Sequence, residues 1–130
     1  MTLVVDASVV IDALEGGRES QALILDEDVH VPHLVDVEVL SGLRRAVLRG
    51  RLARAAAADM LSRWARLGVA RHEMGPLLPR AWSLRDNLTA YDAMYVALAE
   101  RLGCALATSD GAMASAPGIR CPVVRVPPAR

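Results

Sequence analysis

Short apolar segments of strand length alternate with longer segments of helical periodicity along this chain. Residues 3–5 and 104–107 are continuous apolar runs, and residues 29–32 are apolar at every second position. Residues 34–47 and 52–67 instead carry apolar side chains three or four positions apart, and Gly68 follows the second of these segments. Strands that alternate with helices predict an α/β protein whose central sheet is mostly parallel and is covered by helices on both faces.

Glycine and proline predict the remaining boundaries. A Gly-Gly pair at 16–17 ends the first predicted helix, and residues 75–79 hold one glycine and two prolines, which is typical of a loop. Residues 123–126 predict a further strand at the edge of the sheet, and a Pro-Pro pair ends it. Three large apolar residues follow the 75–79 loop and are predicted to pack in the core: Trp82, Leu84 and Leu88.

Two acidic residues follow predicted strands. Asp6 comes directly after the first strand, and Ser8 lies two positions later. Asp110 comes shortly after residues 104–107, with Thr108 between them. Ligands of open α/β sheets bind at the carboxyl ends of the strands, so these side chains are candidates for one site. Aspartate and serine are also favoured helix N-caps, and that role accounts equally well for either acid taken alone.

Two further acidic residues lie on predicted helices. Thr89, followed by Asp92 three positions later, is typical of a capping box that opens a helix. Glu38 lies within the helix of residues 34–47, among apolar neighbours on the helix surface. The helical neighbours of Asp36 are nearly as apolar, so periodicity alone does not choose between these two acids.

The acidic positions and the residues around them match one family in order and spacing. The matching segments are Val-Val-Asp-Ala-Ser at 4–8, Pro-His-Leu-Val-Asp-Val-Glu-Val-Leu at 32–40, Thr-Ala-Tyr-Asp-Ala-Met-Tyr-Val-Ala-Leu-Ala at 89–99 and Leu-Ala-Thr-Ser-Asp at 106–110. The Tyr-Asp-Ala-x-Tyr motif of the third segment is the most specific. Over nearly its whole length, the chain resembles the PIN-domain ribonucleases, and in particular the VapC-type toxins of bacterial toxin–antitoxin pairs.

The resemblance implies a single PIN domain over residues 1–130, folded as a PIN-like three-layer α/β sandwich. It also implies that Glu38, rather than Asp36, belongs to the active site. The expected active site then consists of four acidic residues: Asp6, Glu38, Asp92 and Asp110.

The resemblance and the chemistry of carboxylates together suggest a role for each group. Three acids are expected to hold Mg²⁺ or Mn²⁺: Asp6, Asp92 and Asp110. Glu38 is expected to complete the acidic pocket and to orient the attacking water. Two hydroxyl side chains are expected to position the carboxylates or water from behind: Ser8 and Thr108.

A cluster of carboxylates requires a cation. Two carboxylates about 4 Å apart repel by about 4 kcal/mol at an effective dielectric constant of about 20, so clustered acids raise the pKa of one another or bind a cation. Mg²⁺ and Mn²⁺ prefer oxygen ligands. The cysteines and histidines show no zinc-ligand spacing, and all three histidines are predicted to lie on the surface or in loops: His30, His33 and His72.

The types of charged residue exclude several classes of protein. All fifteen basic residues are Arg, so P-loop proteins, response-regulator receivers and phosphatases of the haloacid-dehalogenase type, which each need a Lys, are excluded. Because the net charge is zero, RNA affinity requires segregated basic side chains. A solvated helical face is the commoner origin of an Arg run. Four residues near predicted helix ends are nevertheless candidates for phosphate contacts: Arg44, Arg45, Arg49 and Arg85.

The resemblance also implies three partners, namely an RNA substrate, a VapB-type antitoxin that covers the acidic pocket, and a second copy of the chain in a homodimer. We expect a cytoplasmic protein with reduced cysteines, because the sequence shows neither a secretory signal nor an apolar stretch long enough to span a bilayer. Two alternatives stay open: a PIN nuclease of housekeeping RNA processing, and a PIN protein that only binds partners. The presence of all four acids argues against the second.

Overall fold

The computed structural model describes residues 1–128, and a five-stranded sheet lies at its centre. The strands are β1 (Thr2–Val5), β2 (Asp28–Pro32), β3 (Ala70–His72), β4 (Ala105–Thr108) and β5 (Val123–Arg125). Their order is β3-β2-β1-β4-β5, and every neighbouring pair is parallel. The predicted parallel sheet and the predicted edge strand near the end of the chain are both confirmed.

Seven helices connect the strands within the described residues. They are α1 (Ala7–Leu14), α2 (Arg18–Asp26), α3 (Leu34–Leu48), α4 (Arg54–Arg66), α5 (Leu78–Ser83), α6 (Ala90–Leu102) and α7 (Gly111–Ala114). A 3₁₀ turn at Gly75–Leu77 precedes α5. The sequence did not predict α2, α7 or β3, because each is short and few of its residues are buried.

The direction of the connections places helices on both faces of the sheet. From β1 the chain moves outward to β2 and β3 through α1 to α4, and α1 packs against α2 and α3. It then returns to β4 and β5 in the opposite direction through α5 to α7, and α6 packs on β1, β2 and β4. Since parallel crossovers are right-handed, a reversal of direction puts the second set of helices on the opposite face.

Burial follows the apolar pattern at the centre of the molecule. Val4 and Val5 of β1 are fully buried, as expected for a central strand covered on both faces. In α6, six of the residues are buried, from Ala93 to Ala99, and Gly103 ends the helix at a φ of 65° that favours glycine. The central strand and α6 therefore form a rigid support for the residues at the carboxyl ends of the strands.

Two predictions about single residues were wrong. Trp82 was predicted in the core, but its exposed fraction is 68%, whereas Leu84 is buried and Leu88 packs against the core as predicted. The Trp82 ring instead carries the Arg85 guanidinium at 4.6 Å from the ring centre, a contact that periodicity does not reveal. Cys104 was predicted as a buried strand residue, but it lies one position before β4 and is only half-buried.

Two of the three histidines lie in strands rather than in loops and stay partly exposed. His30 lies in β2 and His72 in β3, and both are half-buried. Their ring nitrogens Nδ1 and Nε2 are 2.8 Å apart, and His30 Nε2 lies 3.0 Å from an Asp28 carboxylate oxygen. The register between the two strands brings residues 42 positions apart together, which no local spacing could show.

In the part of the chain that the structure describes, no helix combines the length and the apolar character needed to cross a membrane.

Candidate active site

The chain reverses its direction across the sheet between β1 and β4. These two strands are neighbours, with Val5 opposite Ala107, although one leads to β2 and the other to β5. In open α/β sheets, the connections diverge at such a point and leave a crevice outside the carboxyl ends of the strands. Asp6 follows β1 at this crevice, and its amide donates a hydrogen bond to Ala107 O at 3.1 Å.

Asp6 is the most deeply buried of the four acids, with an exposed fraction of 6%. Its Oδ1 accepts hydrogen bonds from Ser8 Oγ at 2.5 Å and from Val9 N at 3.2 Å, which caps α1. Its Oδ2 accepts one from Thr108 Oγ1 at 2.5 Å. Burial raises the pKa of Asp6 above its ordinary value, and the hydrogen bonds offset only part of that effect.

The two hydroxyl groups beside Asp6 are themselves fixed by the backbone that follows β4. Ser8 Oγ accepts a hydrogen bond from Ser109 N at 3.0 Å, and Thr108 Oγ1 accepts one from Asp110 N at 3.0 Å. Each hydroxyl therefore donates to Asp6 and accepts from the turn that carries Asp110. This network holds the ends of β1 and β4 in one arrangement and orients both oxygens of the Asp6 carboxylate.

Glu38 reaches the same edge of the sheet from α3. Its Oε1 accepts a hydrogen bond of 2.6 Å from the hydroxyl of Tyr95, which is 1% exposed. Burial raises the pKa of Glu38, and the charges of Asp92 and Asp6 raise it further, against the opposing effects of Tyr95 and Arg45. Glu38 therefore lies near both aspartates, although the three residues come from separate elements.

Tyr95 is the residue of this site that the sequence did not assign. Its hydroxyl bonds a side chain of α3 while its own helix, α6, lies on the opposite face of the sheet. Burial and the bond to Glu38 raise the pKa of Tyr95, so the phenol stays protonated and acts as a donor. The available signal was spacing, because Tyr95 follows Asp92 by three positions and thus shares its face of the helix.

Asp92 lies in the first turn of α6. Its amide donates to Thr89 Oγ1 at 3.2 Å, so the predicted Thr89 cap is present. Burial raises the pKa of the half-buried Asp92 carboxyl, and the charges of Asp110 and Asp6 add to this increase. The side chain of Asp92 therefore interacts electrostatically with both of the acids that follow strands.

Asp110 is the most exposed of the four acids. Its Oδ1 accepts a hydrogen bond from Ala112 N at 2.9 Å and thereby caps α7. The cap interpretation and the site interpretation of Asp110 are thus compatible, since the same side chain raises the pKa of Asp92. The same holds for Asp6, which caps α1 and affects the pKa of Glu38.

Asp36, the alternative to Glu38, points elsewhere. It accepts hydrogen bonds from Trp64 Nε1 at 2.7 Å and from Arg71 Nε at 2.9 Å and Nη2 at 3.1 Å. Burial tends to raise the pKa of Asp36, but the bonds to Arg71 and Trp64 and the Arg71 charge outweigh burial and lower it. Asp36 therefore ties α3 to α4 and β3, away from the other acids.

The donor set suits a hard divalent cation, although the carboxylates do not converge on one point. Among residues 1–128, no three His, Cys, Asp or Glu side chains lie close enough together to hold one metal ion. Mg²⁺ is usually bound by only one or two carboxylates, with waters and substrate phosphate as its remaining ligands. Burial, followed by the charges of neighbouring acids, raises the pKa of both Glu38 and Asp92, and a divalent ion would neutralise part of that negative charge.

The candidate arginines do not form one surface. Arg45 lies close enough to Glu38 to lower its pKa, and it donates to Ser41 Oγ at 3.2 Å. Arg44 instead lines an apolar groove between α3 and α4 with Leu40 and Leu48. Arg49 is exposed at the end of α3, and Arg85 is stacked on Trp82. Only Arg45 is tied to the acidic site by a described interaction.

Comparisons with known proteins identify the family of this chain. The family model of the PIN domain matches residues 3–119. Ribonuclease VapC9 of Mycobacterium tuberculosis is 47% identical over 125 residues, which cover 96% of this chain and 98% of that protein. Ribonuclease VapC1 of the same organism is 41% identical over 125 residues and covers 92% of this chain and 94% of that protein.

A likeness to solved structures supports the fold. The crystal structure of PAE2754 from Pyrobaculum aerophilum superposes with a TM-score of 0.72 at 24% identity, over 95% of this chain and 83% of that one. The predicted three-layer α/β architecture is confirmed. With its matched segments, its sheet order and its acids at one edge of the sheet, the chain belongs to the PIN-domain family.

Proposed function

We propose that this protein is a metal-dependent endoribonuclease and the toxin of a toxin–antitoxin pair. The observation that carries the proposal is the meeting of Asp6, Glu38 and Asp92 at the switch point of the sheet, where each has a raised pKa. Acids that only stabilise a fold are normally paired with Arg or Lys, as Asp36 is with Arg71. The relatives named ribonuclease, at 47% and 41% identity, support RNA as the substrate class.

The side chains of the site divide the work of phosphodiester hydrolysis. Mg²⁺ or Mn²⁺ would be held among Asp6, Asp92 and Asp110 by one or two of these carboxylates together with water and substrate phosphate, and when bound it would supply charge neutralisation at the phosphate and activation of water. Among the described side-chain hydrogen bonds, Oδ2 of Asp6 accepts one, from Thr108, and a carboxylate oxygen has a second lone pair with which it can bind a ligand. Glu38, held by Tyr95, orients the attacking water and accepts its proton.

The support of the carboxylates makes the site rigid before substrate arrives. Ser8 and Thr108 fix the Asp6 carboxylate, and the Tyr95 hydroxyl fixes that of Glu38. Since these donors are held by the backbone or are fully buried, the acids do not reorganise when RNA binds. Arg45, which lies beside Glu38, is the arginine best placed to contact a phosphate of the substrate.

The partners expected from the family complete the proposal. A VapB-type antitoxin would cover the acidic pocket, the toxin would act in the cytoplasm, and two copies of the chain would form a homodimer. Analytical ultracentrifugation of the protein alone and with the product of an adjacent antitoxin gene tests these assemblies. A monomer at all concentrations, or no complex with that product, would contradict them without bearing on RNA cleavage.

Cleavage and metal dependence are tested together. We expect the protein to cleave structured RNA in Mg²⁺ or Mn²⁺, to lose activity in EDTA, and to stay inactive in Ca²⁺, whose larger radius gives looser coordination. Asp92→Asn should be folded by circular dichroism but inactive. Asp26→Asn is the matched control, because Asp26 ends α2 at the opposite edge of the sheet, just before β2. Full activity of Asp92→Asn, or cleavage in EDTA, would overturn the proposed site.

Metal binding has a readout that needs no substrate. A cation that relieves carboxylate repulsion stabilises the folded state, so the melting temperature should rise with Mg²⁺ or Mn²⁺ concentration. Asp92→Asn should melt at a higher temperature without metal and show a smaller rise with it. The Asp26→Asn control should show the wild-type rise. A melting temperature indifferent to both ions at millimolar concentration would rule out the metal site even if some RNA were cleaved.

A further inference from the structure

The two cysteines of the chain lie near each other at the amino-terminal ends of β4 and β5, whereas the acidic site lies at the carboxyl ends of the strands. In the register between β4 and β5, Leu106 lies opposite Val123 and Ala107 opposite Val124. Two residues before the first of these pairs, the same register places Cys104 opposite Cys121. Paired residues of neighbouring strands lie about 4.8 Å apart, and disulfides join Cα atoms about 4.4–6.8 Å apart.

The backbone around both cysteines can adjust. Cys104 lies one position before β4, and its amide donates to Ala99 O rather than to the neighbouring strand. Cys121 lies two positions before β5, and the first bond of the ladder runs from Leu106 N to Pro122 O at 2.9 Å. The Cys104 thiol is contacted by the backbone of Val4 in β1, but the described backbone hydrogen bonds between β4 and β5 begin only at Leu106 and Pro122. Small shifts of the two cysteines toward the geometry of a disulfide therefore break none of these backbone bonds.

A small molecule can reach the two thiols. Both cysteines are free, both are half-buried, and both line a cavity of about 620 Å³ that opens to solvent. The cavity is also lined by Arg80, Glu100 and Arg120. Its wall is fixed, because Arg80 donates to Glu100 at 2.6 and 3.2 Å and to Gly118 O at 2.7 Å. Both cysteines therefore line one cleft that is separate from the acidic pocket.

We propose that Cys104 and Cys121 form an oxidisable dithiol, which closes to an intramolecular disulfide by exchange with a low-molecular-weight disulfide such as glutathione disulfide. One cysteine thiolate attacks the disulfide, forms a mixed disulfide and releases one glutathione thiolate. The second thiolate then attacks the protein sulfur of the mixed disulfide and releases the other glutathione. Overall, two protein thiols are oxidised to one disulfide, one glutathione disulfide is reduced to two glutathione thiols, and the two protons pass to them.

The environment makes this reaction slow at neutral pH. Burial raises the pKa of Cys104, and it raises the pKa of Cys121 to about 11, with the charges of Glu100 and Cys104 adding to the increase. Because the thiolate is the attacking species, little of either cysteine reacts at once. The rate should therefore rise with pH. The influence of Cys104 on the pKa of Cys121 also agrees with the proximity inferred from the register.

The cross-link would act on the segment that carries Asp110. A disulfide from Cys104 to Cys121 closes a loop that contains β4, α7 and the turn at Ser109. Closing this loop restricts the unfolded chain, so the oxidised protein should melt at a temperature several degrees higher than the reduced protein. The acidic site lies at the far end of β4, and the cross-link would fix the position of β5 beside it.

The test uses the native protein, glutathione disulfide and two single variants. We expect the wild-type protein, incubated at pH 8 to 9, to lose both titratable thiols. Its mass under denaturing conditions should fall by two hydrogen atoms and stay that of a single chain, without a covalent link between chains. Cys104→Ser and Cys121→Ser should each instead gain one glutathione. The same incubation of the wild type in urea is the comparison, because an unfolded chain gains two glutathiones or forms mixtures.

Each other outcome overturns the proposal. Retention of both wild-type thiols while the single variants react, or addition of two glutathiones to the native wild type, would show that the cysteines are not close enough to pair. Cross-linking between chains would show the same. A disulfide that lowers the melting temperature would show that the folded protein does not accommodate the bond. None of these measurements depends on RNA cleavage, so they stand apart from the proposed function.

Discussion

Two acids that lie two positions apart on α3 have opposite environments. Asp36 accepts three hydrogen bonds from Arg71 and Trp64, and its pKa is lowered. Glu38 accepts one hydrogen bond from a neutral phenol, lies near Asp6 and Asp92, and has a raised pKa. Residues two apart on a helix are about 200° apart around its axis, so one faces α4 and β3 and the other faces the edge of the sheet.

The opposite pKa shifts distinguish Asp36, which stabilises the fold, from Glu38, which is available to react. The Arg71 guanidinium stabilises the ionised form of the Asp36 carboxyl group. This interaction favours the folded state at neutral pH. The ionised Glu38 is disfavoured by burial and by its acidic neighbours, which reduces the stability of the folded state in exchange for affinity toward a cation. Substitutions of the two acids should therefore have different effects on activity and on stability.

The largest expected effect is on RNA cleavage. Glu38→Gln should lower kcat by about 100-fold or more, because an amide cannot take a proton from water. Asp36→Asn should change kcat by less than about threefold, since the described hydrogen bonds of Asp36 join it to Trp64 and Arg71, which lie outside the site. Single-turnover cleavage with both variants checks this, after circular dichroism has shown that both are folded. The reverse ranking would mean that Asp36 belongs to the active site.

Removal of the Tyr95 hydroxyl should have the next largest effect. Tyr95→Phe leaves Glu38 without its donor, and we expect kcat to fall by about 10- to 100-fold with little change in KM. Tyr91→Phe is the matched control, because the Tyr91 side chain is 62% exposed at the start of the same helix. If both variants keep full kcat, Tyr95 has only a structural role and does not position Glu38.

A stability measurement tests the structural role of Asp36. Asp36→Ala should lower the free energy of unfolding by about 1–3 kcal/mol, because it leaves the indole N–H of the buried Trp64 without an acceptor. Asp59→Ala removes an exposed pair with Arg63 within α4 and should lower the free energy by about 0.5 kcal/mol or less. Urea denaturation of both variants provides the values. Equal losses would show that Asp36 is an ordinary surface ion pair.

The smallest effect concerns pH. The pKa of Asp92 is raised from its ordinary 3.8, so its contribution to stability is full below that value and is lost as pH rises through the folded-state pKa. Asn at this position does not titrate. In EDTA, the melting temperature of Asp92→Asn minus that of the wild type should therefore increase between about pH 4 and pH 7. A difference that stays constant over this interval would show that Asp92 is not destabilised by its neighbours.

Much of the fold was predictable because its strongest signals are local. The continuous apolar run of β1 predicted a strand, and the Thr89 cap predicted the start of α6. What the sequence could not show depends on contacts between distant segments. The three-residue edge strand β3 carries no distinctive pattern, and the bond between Tyr95 and Glu38 joins residues 57 positions apart. The location of Glu38 followed from the family motif, since periodicity left Asp36 equally suitable.

The helices that begin at the acidic pocket give it a further property. Asp6 caps α1, Thr89 caps α6 beside Asp92, and both helices direct their amino-terminal ends toward the carboxyl edge of the sheet. Each helix macrodipole places a positive potential there, equivalent to about half an elementary charge. In a chain without lysine and with zero net charge, oriented peptide groups thus supply part of the positive field around the acids. The backbone can therefore offset some of their repulsion and attract a phosphate without an additional basic side chain.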